Sequence, residues 1–203
     1  MFDTPDKILH TAEQLFAEQG FAATSLRQII GKAEVNLAAI HYHFGSKESL
    51  LDTLVHRKAD NVNRERLARL DLLEAQSVSK PPAVEQILEA FFAPTADAAA
   101  ANPLFVRVMG RIHAEGLMPG IVQKHFQPTV QRFITALRRA LPDLPEAEFL
   151  WRVHFMMGAM AHTMCGTPIF PAASEDYHGR MRKLVTFLSA GFRAPATPTG
   201  ENS

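Results

Sequence analysis

The segment "HYHFGSK", His41 to Lys47, places two imidazoles, a phenol and an ammonium group within seven residues. Those groups could serve metal binding, acid–base catalysis or the gripping of an anion, and their spacing separates the three. His41 and His43 stand at i and i+2, which on a helix turns them about 200° apart, so they cannot close on one ion as an i, i+4 pair does. No cysteine lies nearby, no glutamate is placed as in HExxH, and no nucleophile elbow or glycine-rich phosphate loop occurs in the chain. The expectation is therefore no catalytic residue, no metal and no cofactor. Directed polar contact remains. The Tyr42 hydroxyl and a His43 ring nitrogen can hydrogen-bond a phosphate, and Lys47 opens a helix whose first backbone N–H groups add to its charge.

These side chains need elements to aim them. Ile40, Tyr42 and Phe44 alternate, and a helix cannot bury all three on one face. If Val35, Ile40 and Phe44 turn inward, Leu37, Ala38, Ala39, His41 and Tyr42 are left largely outward. The preceding segment "SLRQIIGKA" reads as a two-turn helix led by Thr24 or Ser25 as N-cap, and Asn36 caps the next helix after a three-residue turn. Two short helices joined in this way, the second with a small-residue start facing out, form the pattern of a helix-turn-helix. Ala38 and Ala39 allow close approach to the floor of a major groove, and an alanine methyl can pack on a thymine methyl. Arg27 adds a possible phosphate contact from the first helix of the pair.

The rest of the chain is consistent with an all-α protein. Of 203 residues, 47% are hydrophobic and 21% charged, a globular composition. No long apolar run occurs and the N-terminus starts acidic, so no membrane association and a cytoplasmic location are expected. Basic and acidic residues balance at 21 each, and residues 1–50 hold four basic residues against six acidic ones. A nucleic-acid partner must then be held by a few placed contacts, not by a general positive field. Helical periodicity, Gly20 and proline-bearing links predict helices over about 6–20, 25–33, 37–44, 47–75, 83–101, 103–115, 121–140, 146–165 and 176–192. Residues 1–50 are expected to form the reading domain and 51–193 a larger helical domain. Helix 47–74 joins them, and 194–203 reads as a frayed tail. Lone Cys165 reads as an inert buried thiol.

"ATSLRQIIGKAEVNLAAIHYHFGSKESLL" resembles the DNA-binding domain of TetR-family transcriptional regulators over about residues 6 to 55. The resemblance implies that Leu37, Ala38, Ala39 and His41 face bases while Thr24, Arg27, Tyr42, His43 and Lys47 hold the DNA backbone. Ser25 and Asn36, capping the two helix starts, complete the DNA-binding set. His41 stands where a tyrosine is commonest in that family. "FLWRVHFMMGAMAHTMCG", together with "VNLAAIHYHFGSK", is similar to the fatty-acid-responsive PsrA-type subgroup, which implies a repressor released by long-chain fatty acids or their CoA esters. Phe91, Phe92, Phe105, Met109, Phe126 and Phe133 supply apolar surface for such an effector, or for ordinary core. Arg107 and Arg111, at i and i+4, fit a carboxylate or a CoA phosphate, or a solvated surface. The resemblance also implies a homodimer through the last two helices. There Trp151, Phe155, Met156, Ala159, Met160, Val185, Leu188 and Phe192 offer apolar surface to a partner or to the monomer core. The alternatives are a related regulator of efflux or stress genes answering another hydrophobic ligand, and a lipid-binding or enzymatic helical domain carrying a helix-turn-helix.

Overall fold

A computed structural model describes residues 3–77, 80–165 and 176–197. The tail residues 198–203 and most of the proline-bearing link before the last helix lie outside the described residues. Ten α-helices and no strand occur among the described residues. They are α1 (Thr4–Gln19), α2 (Leu26–Ala33), α3 (Leu37–His43), α4 (Lys47–Gln76) and α5 (Val84–Ala101). The rest are α6 (Pro103–Ala114), α7 (Met118–His125), α8 (Gln127–Ala140), α9 (Glu146–Cys165) and α10 (Tyr177–Arg193). The single helix expected over 121–140 is two helices. Phe126 leaves helical geometry at φ −123°, and Pro128 lacks the N–H that would continue the ladder across the join.

Local chemistry sets the ends of the first helices. α1 carries Pro5 in its first turn and stops at Gly20, whose φ of 89° suits a residue without a Cβ. Ser25 and Gln28 form a reciprocal capping box at the start of α2. The Asn36 carboxamide oxygen accepts from Ala39 N at 2.8 Å, and Ser46 Oγ accepts from Ser49 N at 3.0 Å at the start of α4. These caps allow helices of seven and eight residues to persist where propensity alone would not hold them.

The chain folds as two compact units, and α4 and α5 each run from one into the other. The first unit holds residues 1–63 and 98–127. Its core draws Ile8, Ala12 and Phe16 from α1, Ile29 from α2, Ile40 from α3, Leu50, Leu54 and Val55 from α4, and Val108 and Ile112 from α6. α6 therefore packs along α1 as part of this unit. Burying each such aliphatic or aromatic side chain contributes about 1.5–3 kcal/mol before entropy is charged against it.

The second unit holds residues 64–97 and 128–203. Leu70, Leu88, Phe91, Phe92, Phe133, Leu137, Phe149, Met156, Leu184, Leu188 and Phe192 fill its core. Arg152 closes the end of α10 by donating to the carbonyls of Phe192, Ala194 and Pro195, while it pairs with Glu148 at 2.8 Å. That pairing outweighs partial desolvation and holds the Glu148 carboxyl below its usual range. A second buried cation, Arg66, donates to the Phe91 carbonyl and the Thr95 hydroxyl and stacks on the Phe91 ring, and desolvation pushes its pKa down to about 9.

Candidate nucleic-acid interface

α3 is held by one buried anchor. Ile40 is fully enclosed; at about 100° per residue Ala38 and Tyr42 fall on the opposite side of α3, His41 lies about a quarter turn from Ile40, and Leu37, at the helix start, is exposed as well. Tyr42 is 86% exposed and Leu37 51%. The His43 ring is exposed and packs edge-on against Tyr42 at 5.0 Å between centroids, while Phe44 packs against the core. Ala39 is half-buried. The result is a surface with a small centre, Ala38, bordered by an aliphatic chain, an imidazole and a phenol.

The lead into this surface is fixed by bonds between distant residues. Lys47 Nζ donates to the carbonyls of Phe21 (2.8 Å) and Thr24 (2.7 Å) and lies 4.3 Å from the Phe21 ring centroid. The ammonium expected on a phosphate thus ties α4 to the α1–α2 link, and one of its three N–H groups remains for an outside acceptor. Thr24, also expected at the backbone, is buried, and its hydroxyl donates to the Gly20 carbonyl at 2.6 Å. Ser25 is occupied in its capping box and Asn36 in its cap, whereas Arg27 is exposed on α2.

From the other side, Glu115 at the C-cap of α6 accepts from Phe21 N (2.8 Å) and Ala22 N (2.9 Å). Arg111 donates to the Glu18 carbonyl. Sequence reasoning missed Glu115, because its partners are 93 and 94 residues away. The missing side chain of Gly20 gives the carboxylate its room, since a Cβ there would sit 2.2 Å from Glu115 Oε1.

The residues expected to line an effector site are drawn from both units. Phe91, Phe92 and Phe133 are core of the second unit. Phe105, Met109 and Phe126 pack on the core of the first unit, where Arg107 is exposed and Arg111 holds α1.

The pairing residues also divide. Trp151 (58%) and Phe155 (61%) are exposed and stacked at 5.7 Å, and Ala159, Met160 and Val185 are half-buried. Met156, Leu188 and Phe192 instead face inward as core of their own unit. Exposed Leu150 and Phe187, not foreseen, stand out beside Trp151 and Phe155 among the exposed apolar side chains of α9 and α10. No group of metal-ligating side chains occurs among the described residues, and no described helix is long and apolar enough to cross a membrane. Burial pushes the Cys165 thiol up, away from the thiolate that a nucleophile requires.

A capped pair of short helices, the second anchored by one residue and otherwise turned to solvent, defines a helix-turn-helix protein of the all-helical class. Residues 8–54 match the family described as bacterial regulatory proteins of the tetR family, and residues 85–191 match the tetracyclin repressor-like C-terminal domain. The chain belongs to the TetR family of transcriptional regulators, which are not enzymes. It is 35% identical over 91 residues to the probable HTH-type transcriptional regulator YttP of Bacillus subtilis, an alignment covering 44% of this chain and 41% of that protein. It is 38% identical over 74 residues to the HTH-type transcriptional repressor NicS of Pseudomonas putida, covering 36% and 35%. The matches to these curated relatives span less than half of their length.

Among solved structures, a tetR family transcription regulator from Shewanella sp. PV-4 aligns with a TM-score of 0.66 at 21% identity, covering 94% of this chain and 96% of that one. The fatty acid degradation regulator FadR from Bacillus halodurans aligns with a TM-score of 0.62 at 16% identity, covering 96% and 99%. At these identities the two structures establish a shared fold.

Proposed function

We propose that the protein is a dimeric, ligand-gated repressor that holds double-stranded operator DNA through α3 and leaves it when a hydrophobic effector binds. The observation that carries this reading is the exposed surface of α3: Ala38 with Leu37, His41 and Tyr42 around it, all open to solvent while Ile40 anchors the helix. A helix about 10–12 Å across fits a major groove about 12 Å wide, and the small centre lets it descend to the base edges. Leu37, Ala38, Ala39 and His41 face bases. Tyr42, His43, Arg27 and the remaining Lys47 N–H reach phosphates, while Thr24, Ser25 and Asn36 act by fixing the two helix starts. A few directed contacts of this kind suit a segment whose charge is slightly acidic.

Residues 1–50 do the reading, 51–193 bind the effector and pair two subunits, and α4 is the unbroken helix shared between these tasks. The protein works in the cytoplasm, where its operator lies. The exposed Trp151, Phe155 and Phe187 support pairing through α9 and α10, because apolar rings of this size are seldom left in water. Two paired subunits then read half-sites about 34–36 Å apart or a multiple of that spacing. An effector that prefers the conformation unable to span both half-sites empties the operator by population shift.

Long-chain fatty acids and acyl-CoA esters are the effector class we propose. Support comes from the resemblance of the α3 and α9 segments to fatty-acid-responsive regulators and from the partly buried Met157, Met160 and Met164 on the second core, which can repack around an apolar chain. The test is a mobility shift on DNA upstream of the protein's own gene, with and without oleate and oleoyl-CoA. A shift released by either lipid is expected. No shift on any genomic fragment overturns the repressor reading, and a shift indifferent to both lipids overturns the effector class alone, leaving a regulator of another hydrophobic ligand.

A further inference from the structure

His41 makes one intramolecular hydrogen bond that determines what it can offer a partner. Its Nδ1 lies 3.0 Å from the Gly45 carbonyl oxygen, one turn further along. A carbonyl oxygen only accepts, so the proton of this bond must sit on Nδ1. In the neutral imidazole the other nitrogen, Nε2, then carries a lone pair and no hydrogen. His41 is exposed, about a quarter turn around α3 from the buried Ile40, so the bond to Gly45 limits the ring's rotation on the outer surface of α3.

We propose that His41 is a specificity-determining residue that reads the major groove as a hydrogen-bond acceptor through Nε2. The inference rests on the DNA-reading role of α3 given above and adds the polarity of one of its contacts. Major-groove donors come from exocyclic amines alone, adenine N6 and cytosine N4, whereas guanine shows N7 and O6 acceptors and thymine O4. The base edge opposite His41 is therefore an amine-bearing one. A tyrosine at this position, with a rotatable hydroxyl that both donates and accepts, would not impose that choice.

The experiment is selection of bound duplexes from a randomised library by the wild-type chain, His41→Phe and His41→Lys. Phenylalanine keeps the flat ring without the acceptor, and lysine presents donors only. Wild type is expected to enrich a motif with adenine or cytosine at one position of each half-site. His41→Phe should lose preference at that position alone, and His41→Lys should turn it toward guanine. In the wild-type motif, replacing the selected adenine by purine, or the selected cytosine by pyrimidin-2-one, removes only the amine and should weaken binding by about tenfold. The two replacements also show which base is read. His41→Phe should bind both replaced and unreplaced duplexes equally. A wild-type motif with guanine or thymine at the position that His41→Phe alters, or one that His41→Phe leaves unchanged, overturns the proposal. Failure of the wild type to enrich any duplex overturns the DNA-binding reading and this inference with it, a result distinguishable from the other two.

Discussion

At Lys47 and Tyr42 two polar groups a few residues apart have opposite structural burdens. The Lys47 ammonium satisfies two carbonyls on the α1–α2 link, so removing it leaves partly buried acceptors unpaired. The Tyr42 hydroxyl projects from an 86% exposed ring. Lys47→Met is accordingly expected to lower stability by about 1–2 kcal/mol, read as a melting temperature several degrees below wild type, with DNA affinity falling as the helix pair loosens. Tyr42→Phe should leave melting unchanged and weaken operator binding by roughly tenfold, as loss of one phosphate contact does. Equal melting of the two variants would remove the structural role assigned to Lys47. Undiminished affinity in Tyr42→Phe would take the phenol off the DNA backbone.

The short link between α1 and α2 is gripped from two elements at once, α4 through Lys47 and α6 through Glu115. A methyl at position 20 would meet Glu115 Oε1 at 2.2 Å and would carry the strain of φ 89°. Gly20→Ala is thus expected to destabilise the fold by about 1–3 kcal/mol, and Glu115→Ala by a similar amount through two orphaned N–H groups. In the double variant the clash has no partner, so chemical denaturation should show a loss smaller than the sum. Strict additivity would mean that the link does not depend on the carboxylate. α4 and α7 share another polar joint. Asp52 is partly desolvated, which alone would raise its pKa, but hydrogen bonds from Lys124 (2.7 Å) and His125 (2.9 Å) outweigh this and leave it below its usual 3.8. A lowered carboxyl contributes stability that is fully present above about pH 4 and is lost as pH falls through the folded value. Asp52→Asn should therefore flatten the acid end of the stability profile, which denaturation from about pH 2.5 to 5 measures. An acid slope equal to that of the wild type would discount the joint.

On the scale of the molecule, what could be read in advance follows the range of the interactions. The helix-turn-helix was legible because its signals are local: Ser25 with Gln28, Asn36 with Ala39, and Gly20 each act within a turn. Its bracing was not, since Glu115 meets residues 93 and 94 positions away and leaves no periodic trace. α9 shows a third case. "FLWRVHFMM" is apolar almost all round, so periodicity announces a helix without fixing which side faces in. The structure fixes it: Phe149, Arg152, Val153 and Met156 point inward at i, i+3, i+4 and i+7, leaving Leu150, Trp151 and Phe155 outside. Exposed Phe187 on α10 adds another ring at 71% exposure. These outward residues, and not Met156, Leu188 or Phe192, are the ones a second subunit can cover. Trp151→Glu with Phe155→Glu should therefore sediment as a monomer, fold with a cooperative melt, and bind a full operator far more weakly than the wild type, because two half-sites are no longer engaged together. Met156→Ala should instead cost about 2–5 kcal/mol of stability with pairing retained under folded conditions, since it opens a cavity within one subunit. A double glutamate variant that still sediments as a dimer would move the subunit interface off this face of α9.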